Sequence, residues 1–246
     1  MQKGSVLKVR YSIKFSKESG IKFVSHLDLA KTIQRIVKRS ELPIKYSKGF
    51  NPHMCISIGQ PLSVGMYSVG EYLDMEFTEK LEEEYIKDTL NSFLPSGIKI
   101  LEAVFIEERE NVKNPPQAMA AVMEAEYETK IKYSDNANLK EEMETLLAEE
   151  EWRIIKKSKS GEKEVDIKLM VKDFHYAILE DVLTIGATIS CGSKANLSAQ
   201  LLAEFVSIHT TGVNEDAFVD IKRIEMYAYK NEERYPLYKF YQLNWF

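Results

Sequence analysis

The sequence predicts an α+β fold in which a strand–helix–strand–strand–helix–strand unit occurs twice, the second time with extra strands. Three observations predict it. Stretches of two-residue apolar alternation and stretches of helical spacing follow one another in the same order in both halves of the chain. A polar stretch carrying Pro115-Pro116, residues 107–117, separates the two runs. A chain of 246 residues with 44% hydrophobic and 29% charged content is long enough to bury a core without disulfides or metals. An α+β single domain with one long sheet is the alternative reading of the same elements.

The first strand spans 8–15. Val9, Tyr11, Ile13 and Phe15 alternate with Lys8, Arg10, Ser12 and Lys14, which makes a half-buried strand with a basic outer face. Glu18-Ser19-Gly20 turns the chain. A helix starts at Ser25, whose hydroxyl suits the N-cap, and Asp28 three residues on completes a capping-box-like pair. Leu29, Ile33, Ile36 and Val37 share one face; Lys31, Arg35, Lys38 and Arg39 fall largely on the other. Pro43 stops the helix. Tyr46-Ser47-Lys48-Gly49-Phe50-Asn51-Pro52-His53 is a loop, because Gly49 admits a left-handed backbone and Asn51-Pro52 favours a turn. Strands at 54–58 and 72–77, a helix at 79–94 capped by Thr78, and a strand at 98–106 complete the first unit.

The order then begins again. A strand is expected at 125–133 and a helix at 139–150, capped by an Asn/Asp cluster. Strands follow at 152–157, 165–171, 174–179 and 182–190, then a helix at 197–208 with Asn196 or Ser198 as its cap, and a closing strand at 218–229. Each copy has the element order of a ferredoxin-like βαββαβ unit. The expected fold is therefore two tandem ferredoxin-like units, a basic lobe at 1–112 and a second lobe at 113–246. The second lobe ends in an aromatic tail: six of the twelve residues from 235 to 246 are Tyr235, Tyr238, Phe240, Tyr241, Trp245 and Phe246. Such a tail is expected to dock on its own lobe; docking on a partner or stacking on bases are the other readings.

Charge is unevenly spread. Residues 1–60 carry twelve Lys/Arg against three Asp/Glu, and residues 61–246 carry twenty-one against thirty-five, so a +9 segment heads a chain of net charge −5. A basic end on an acidic protein steers polyanions towards that end. Other classes are excluded. Cys55 and Cys191 stand far apart without a CxxC partner, which rules out a cysteine-ligated zinc or iron–sulfur site from this chain alone. No GxGxxG, P-loop, HExxH or GxSxG motif is present. No run approaches the ~18 apolar residues of a membrane span, and no signal-type apolar core heads the chain, so a cytoplasmic protein is expected.

Four motifs occur in one order: F-V-S-H-L-D-L, then R-S-E-L-P-I-K-Y-S-K-G-F-N-P-H, then I-G-Q-P-L-S-V-G, then E-Y-L-D. With them the chain from about Lys8 to Ile106 resembles a bacterial domain of unknown function described as radical-SAM-linked; E-V-D-I-K at 164–168 extends the resemblance more weakly. The resemblance implies a partner, a radical-SAM and cobalamin-binding protein to which this domain is fused in many members and from which it stands apart here. It also implies gene neighbours for ribonuclease G and a ribosomal protein, hence RNA-related work. The chain lacks the closely spaced cysteine triplet of a radical-SAM enzyme, so no cofactor of its own is expected. The tandem architecture is similar, more distantly, to the Cas6 group of CRISPR RNA endonucleases.

The expected binding surface joins three parts: Lys8, Arg10 and Lys14 on the strand; Ser25, His26, Lys31, Arg35 and Lys38 on the helix; and Tyr46, Ser47, Lys48, Gly49, Phe50, Asn51 and His53 on the loop. Lysines and arginines neutralise phosphate, Gly49 lets main-chain N–H groups approach, and Tyr46 and Phe50 offer stacking faces. His26 at a helix N-terminus suits an anion and is the one candidate acid/base for RNA cleavage, although no second catalytic group is identified. His26 and His53 are expected to flank the same loop. Asp28 already serves as a cap, so no metal site is expected. The three functional readings are an RNA-binding module serving a radical-SAM partner, a metal-independent RNA endonuclease, and a protein-interaction subunit.

Overall fold

The first strand, β1 (Val9–Lys17), divides its side chains between two faces. Tyr11, Ile13 and Phe15 are wholly buried on one; Arg10, Ser12 and Lys14 point to the other. This computed structural model describes residues 8–158, 161–193 and 195–246; Lys3, one cation of the basic segment, and part of the N-terminal stretch read for a signal core lie outside the described residues. Helix α1 (His26–Arg39) follows, then the short strand β2 (Ile56–Ile58), β3 (Tyr67–Phe77), helix α2 (Glu83–Phe93) and β4 (Ile98–Ile106). Strand β1 lies antiparallel between β3 and β4, with Ile13 opposite both Leu73 and Ala103, and β2 lies antiparallel on β3 with Ile56 opposite Met75. The order is therefore β4-β1-β3-β2. Leu29, Ile33, Ile36 and Val37 of α1 and Ile86 and Leu90 of α2 pack on Tyr11, Ile13, Phe15, Leu73 and Met75. Each such side chain contributes roughly 1.5–3 kcal/mol on leaving water.

Several local expectations are corrected. Helix α1 ends before Pro43 is reached: Ser40 N–H closes on Ile36 O at 2.8 Å, and Glu41 turns the chain in the left-handed region at φ 56°. Thr78 caps no helix; its N–H and hydroxyl both bond Pro43 O. Residues 79–82 stay outside α2, since Tyr11 OH both donates to Leu81 O (2.5 Å) and accepts from Leu81 N–H (2.9 Å). The stretch 107–117 is not a loose linker. Arg109 and Asn114 close it as a loop through two hydrogen bonds, and α3 (Ala118–Ala121) follows with Ala118 and Ala121 buried.

Strand β5 (Glu124–Lys132), α4 (Leu139–Ala148), the hairpin β6 (Arg153–Ser158) and β7 (Gly161–Asp166), β8 (Val171–Leu179), β9 (Val182–Ser190), α5 (Ala199–Ile208) and β10 (Asp220–Lys230) come next. Strands β5, β9 and β8 are antiparallel neighbours, Ala187 facing both Tyr127 and Phe174, and β10 adjoins β5. The strand expected at 165–171 is divided: its start belongs to β7, a 3-10 turn takes Lys168–Met170, and β8 begins at Val171. Trp152 anchors this core, stacked on Phe205 at 5.3 Å and edge-on to Phe174 at 5.5 Å, with its indole N–H on Leu146 O. Ser198 is the cap of α5, accepting from Leu201 N–H, whereas no side chain of the Asn/Asp cluster caps α4 through Asn138.

The chain forms two compact units, the described residues of Met1–Val122 with Glu225–Phe246, and Met123–Ile224. The boundary expected at 112/113 thus falls instead after Val122, and the aromatic tail belongs to the first unit. Strand β11 (Glu233–Pro236) folds back on β10 through Asn231 and Glu232, both at positive φ as a tight hairpin turn requires. Helix α6 (Leu237–Gln242) then lies against β1 and β4 with Leu237, Phe240 and Tyr241 buried. It covers the face of β1 opposite α1.

Candidate nucleic-acid interface

Helix α1 begins as its sequence demands. Ser25 Oγ accepts from Asp28 N–H at 3.2 Å and donates to Asp28 Oδ2 at 2.8 Å. His26, in the first turn, is exposed. Along the outer face Lys31 reaches Asp28 at 3.9 Å, a weak exposed pair, and Arg39 lies over the Phe93 ring. Arg35 and Lys38 are exposed and make no ion pair among the described residues. The apolar stripe sinks into the core, and the cations are what remains in water.

The loop after α1 is tied at its base. Tyr46 bridges Met54, Ser47 N–H bonds His53 O at 2.8 Å, and His53 N–H bonds Ser47 Oγ at 3.1 Å. Ser47 Oγ and His53 Nδ1 are 3.0 Å apart, a third link across the same base. Beyond it Lys48, Gly49, Phe50, Asn51 and Pro52 are exposed. Gly49 has φ +129°, and no atom stands where a Cβ would point. Phe50 is fully exposed at 108%, and Tyr46 is exposed at 46%.

The strand cations are placed otherwise than expected. Arg10 is buried, its Nη2 donating to Pro115 O at 2.5 Å and its Nε 3.0 Å from Glu108 Oε1 in an ion pair without hydrogen-bond alignment. Lys14 donates to Glu225 Oε2 at 2.6 Å and lies over the Tyr238 ring at 4.8 Å. Lys8 faces Glu76 at 3.7 Å and stays half-exposed. The physical reason is α6 and the 107–117 loop. Elements a hundred or more residues away cover the face that β1 alone would leave in water.

His26 and His53 do not flank one site. Strand β1 runs from the Phe77 end of β3 to its Ser68 end, and α1 starts from the latter. The loop lies at the former, where Lys45 N–H bonds Glu76 O. A helix of 14 residues rises about 20 Å, so the two histidines sit at opposite ends of α1. Around His26 the exposed side chains include the apolar Phe23, Leu27 and, on the loop held by Gly65 N–H to Lys22 O, Val64. Among the described residues no group of three or more His, Cys, Asp or Glu is disposed to hold a metal. Among the described residues Cys55 and Cys191 form no disulfide, and no helix is long and apolar enough to cross a membrane.

Sequence reasoning missed the polar strip beneath α6. Asp74 is buried with its Oδ2 accepting Ala118 N–H at 2.8 Å and its Oδ1 without a hydrogen bond. Burial pushes its pKa up to about 6, against the pull of the Ala118 N–H and the Arg10 guanidinium. Tyr72 OH donates to Glu225 Oε1 at 2.7 Å, and burial raises the Tyr72 pKa well above its ordinary value. Tyr241, whose OH bonds Pro116 O, is likewise shifted upward by burial. Asp74 alternates correctly in β3; no local signal says that its side of the strand is roofed.

The family model described as "Uncharacterized protein conserved in bacteria (DUF2344)" matches residues 10–199. No curated protein matches. Among solved structures, a chain of "Crystal Structure of a Cbf5-Nop10-Gar1 Complex" is similar at 12% identity and a TM-score of 0.50, over 88% of this chain and 48% of that one. The chain thus spans about half the length of that neighbour, and the likeness is one of fold. A protein from Galdieria sulphuraria, titled "Crystal Structure of an Unknown Protein", is similar at 12% identity over 88% of this chain and 97% of that one, with a TM-score of 0.25. With the family model covering both the α1–loop segment and most of the second unit, the chain belongs to the family of uncharacterized bacterial proteins DUF2344.

Proposed function

We propose that this protein is a non-catalytic RNA-binding module that presents its RNA to a radical-SAM and cobalamin-binding partner, in RNA modification. The observation that carries the reading is the set of exposed cations without ion pairs among the described residues, Arg35, Lys38 and Lys48, in one basic segment that also exposes Tyr46 and Phe50. Exposed, uncompensated cations are what a phosphate backbone displaces counterions to reach. Arg10 and Lys14 are not part of this surface, because their charges are taken up by Glu108 and Glu225. The partner rests on the resemblance of the SHLD and YSKGFNPH motifs. A catalytic role for His26 lacks a second group: Asp28 is engaged by Ser25, and His53 lies at the other end of α1.

We also read the element order of the chain as two ferredoxin-like repeats. The orders β4-β1-β3-β2 and β10-β5-β9-β8 correspond position by position, with β6 and β7 as the addition in the second.

The test is binding of a labelled single-stranded RNA to the purified full chain across a range of KCl concentration. Affinity should fall steeply with salt, by a log–log slope of roughly −0.7 for each phosphate neutralised. No salt-dependent binding removes the reading. Copurification from cell extract tests the partner separately: absence of a radical-SAM protein removes that clause and leaves RNA binding standing.

A further inference from the structure

The tip of the 46–53 loop carries an inference that rests on the RNA-binding reading and goes beyond it to the form of the RNA. The tip is a small arm with a braced base: the Ser47–His53 links and the Tyr46–Met54 bridge hold it, and Cys55 N–H bonds Lys45 O at 2.8 Å just behind. At its apex Phe50 touches nothing that would take it out of water. The neighbouring Gly49, at φ +129° with open space around it, leaves the approach to the ring unobstructed. Lys48 stands two residues away without an ion pair among the described residues, whereas Lys45 and Lys8 are both committed to Glu76. The C-terminal end of α1, with Lys38, lies at the same end of the sheet as the loop. An aromatic ring presented edge-free beside cations is a platform for a base.

In an A-form duplex every base face is already stacked, and the major groove is too narrow and deep for a side chain to enter. A ring on a narrow arm has no base to reach there. We propose that this loop takes single-stranded RNA, with an unpaired base stacked on Phe50 and the flanking phosphates held by Lys48 and Lys38. Tyr46, on the same arm and half-exposed, offers a second face to the next base.

The experiment compares one RNA sequence as a single strand and as a blunt duplex, at fixed salt, against the full-length protein and the variants Phe50→Ala and Phe50→Tyr. The expected result is tighter binding of the single strand, a loss of about tenfold or more on that strand in Phe50→Ala, little change on the duplex, and recovery in Phe50→Tyr. Phe50 packs on nothing, so the variants are expected to fold, and their circular dichroism checks it. Duplex binding equal to or tighter than single-strand binding, or a Phe50→Ala protein that binds the single strand like wild type, overturns the inference and leaves the RNA-binding reading intact. No binding of either RNA overturns both.

Discussion

The stretch from Lys8 to the end of strand β1 carries Lys8, Arg10, Lys14 and Lys17; helix α1, nine residues further on, carries Lys31, Arg35, Lys38 and Arg39. The two sets have the same number and the same chemistry, and the fold treats them in opposite ways. Three of the four strand cations are drawn inward: Arg10 is buried against Glu108 and Pro115, Lys17 is buried with its ammonium on Lys22 O at 2.9 Å and its pKa pulled down by burial, and the partly buried Lys14 is paired with Glu225. On α1 Arg35 and Lys38 remain in water, without an ion pair among the described residues. A buried cation without its partner is costly, so the strand cations come with carboxylates and carbonyls fitted to them. An exposed cation is nearly free of that constraint and is available to a ligand. Charge at one end of a sequence is therefore not one property; it is divided by whatever covers it.

The sharpest way to break this comparison is Arg10→Ala. If Arg10 is interior, the substitution leaves Glu108 and the Pro115 carbonyl without their partner and should destabilise the protein by about 3–5 kcal/mol, read as a lower urea midpoint. RNA affinity of the folded protein, measured well below that midpoint, should stay near wild type. A stable variant with weakened RNA binding would put Arg10 back on the surface.

Asp74 sharpens the same point through pH. Its folded pKa, about 6, lies above the ~3.9 of an unfolded aspartate. Between those values the folded state holds more protons than the unfolded one, so this group's contribution to stability falls as pH rises from about 4 to 6 and stays low above it. Asp74→Asn keeps an acceptor for Ala118 N–H and should remove this fall, stabilising the protein at neutral pH by about 3 kcal/mol. The check is the difference between wild-type and variant unfolding free energies across that window, which cancels the other carboxylates. A difference that does not change with pH would mean that Asp74 ionises as freely folded as unfolded. A smaller effect, about 1 kcal/mol, is expected from Ser25→Ala, which removes the cap from the exposed end of α1; unchanged helicity and urea midpoint would deny the cap that role.

The legibility of these features in the sequence follows the range of the forces involved. Period two located β1 and named Tyr11, Ile13 and Phe15 as its core side, and the Ser25 cap and the α1 stripe were readable because each is settled within a few residues. Alternation says that the other face differs; it does not say what lies on it. Only elements far along the chain, the 107–117 loop for Arg10 and Glu225 with α6 for Lys14, decide that these cations turn inward. The aromatic tail announced that it must dock, but its choice of the first unit depends on the β10–β11 hairpin returning it there. His26 and His53 were read as neighbours because both adjoin the same connection. The helix between them spans its own length, which sequence adjacency conceals.

The smallest effect on stability, and the most informative about function, belongs to the helix side of the comparison. Arg35→Ala and Lys38→Ala remove exposed side chains that make no ion pair among the described residues, so the urea midpoint should stay where it is. If these residues hold phosphates, each should weaken RNA binding about equally for all sequences and make the salt slope shallower by roughly 0.7. Lys31→Ala serves as the internal contrast, since Lys31 has Asp28 within 3.9 Å and gives up that pair to bind; its effect on affinity should be the least of the three. A Lys38→Ala protein with an unchanged salt slope would mean that the exposed face of α1 is only a solvated surface. The asymmetry between strand and helix would then concern folding alone.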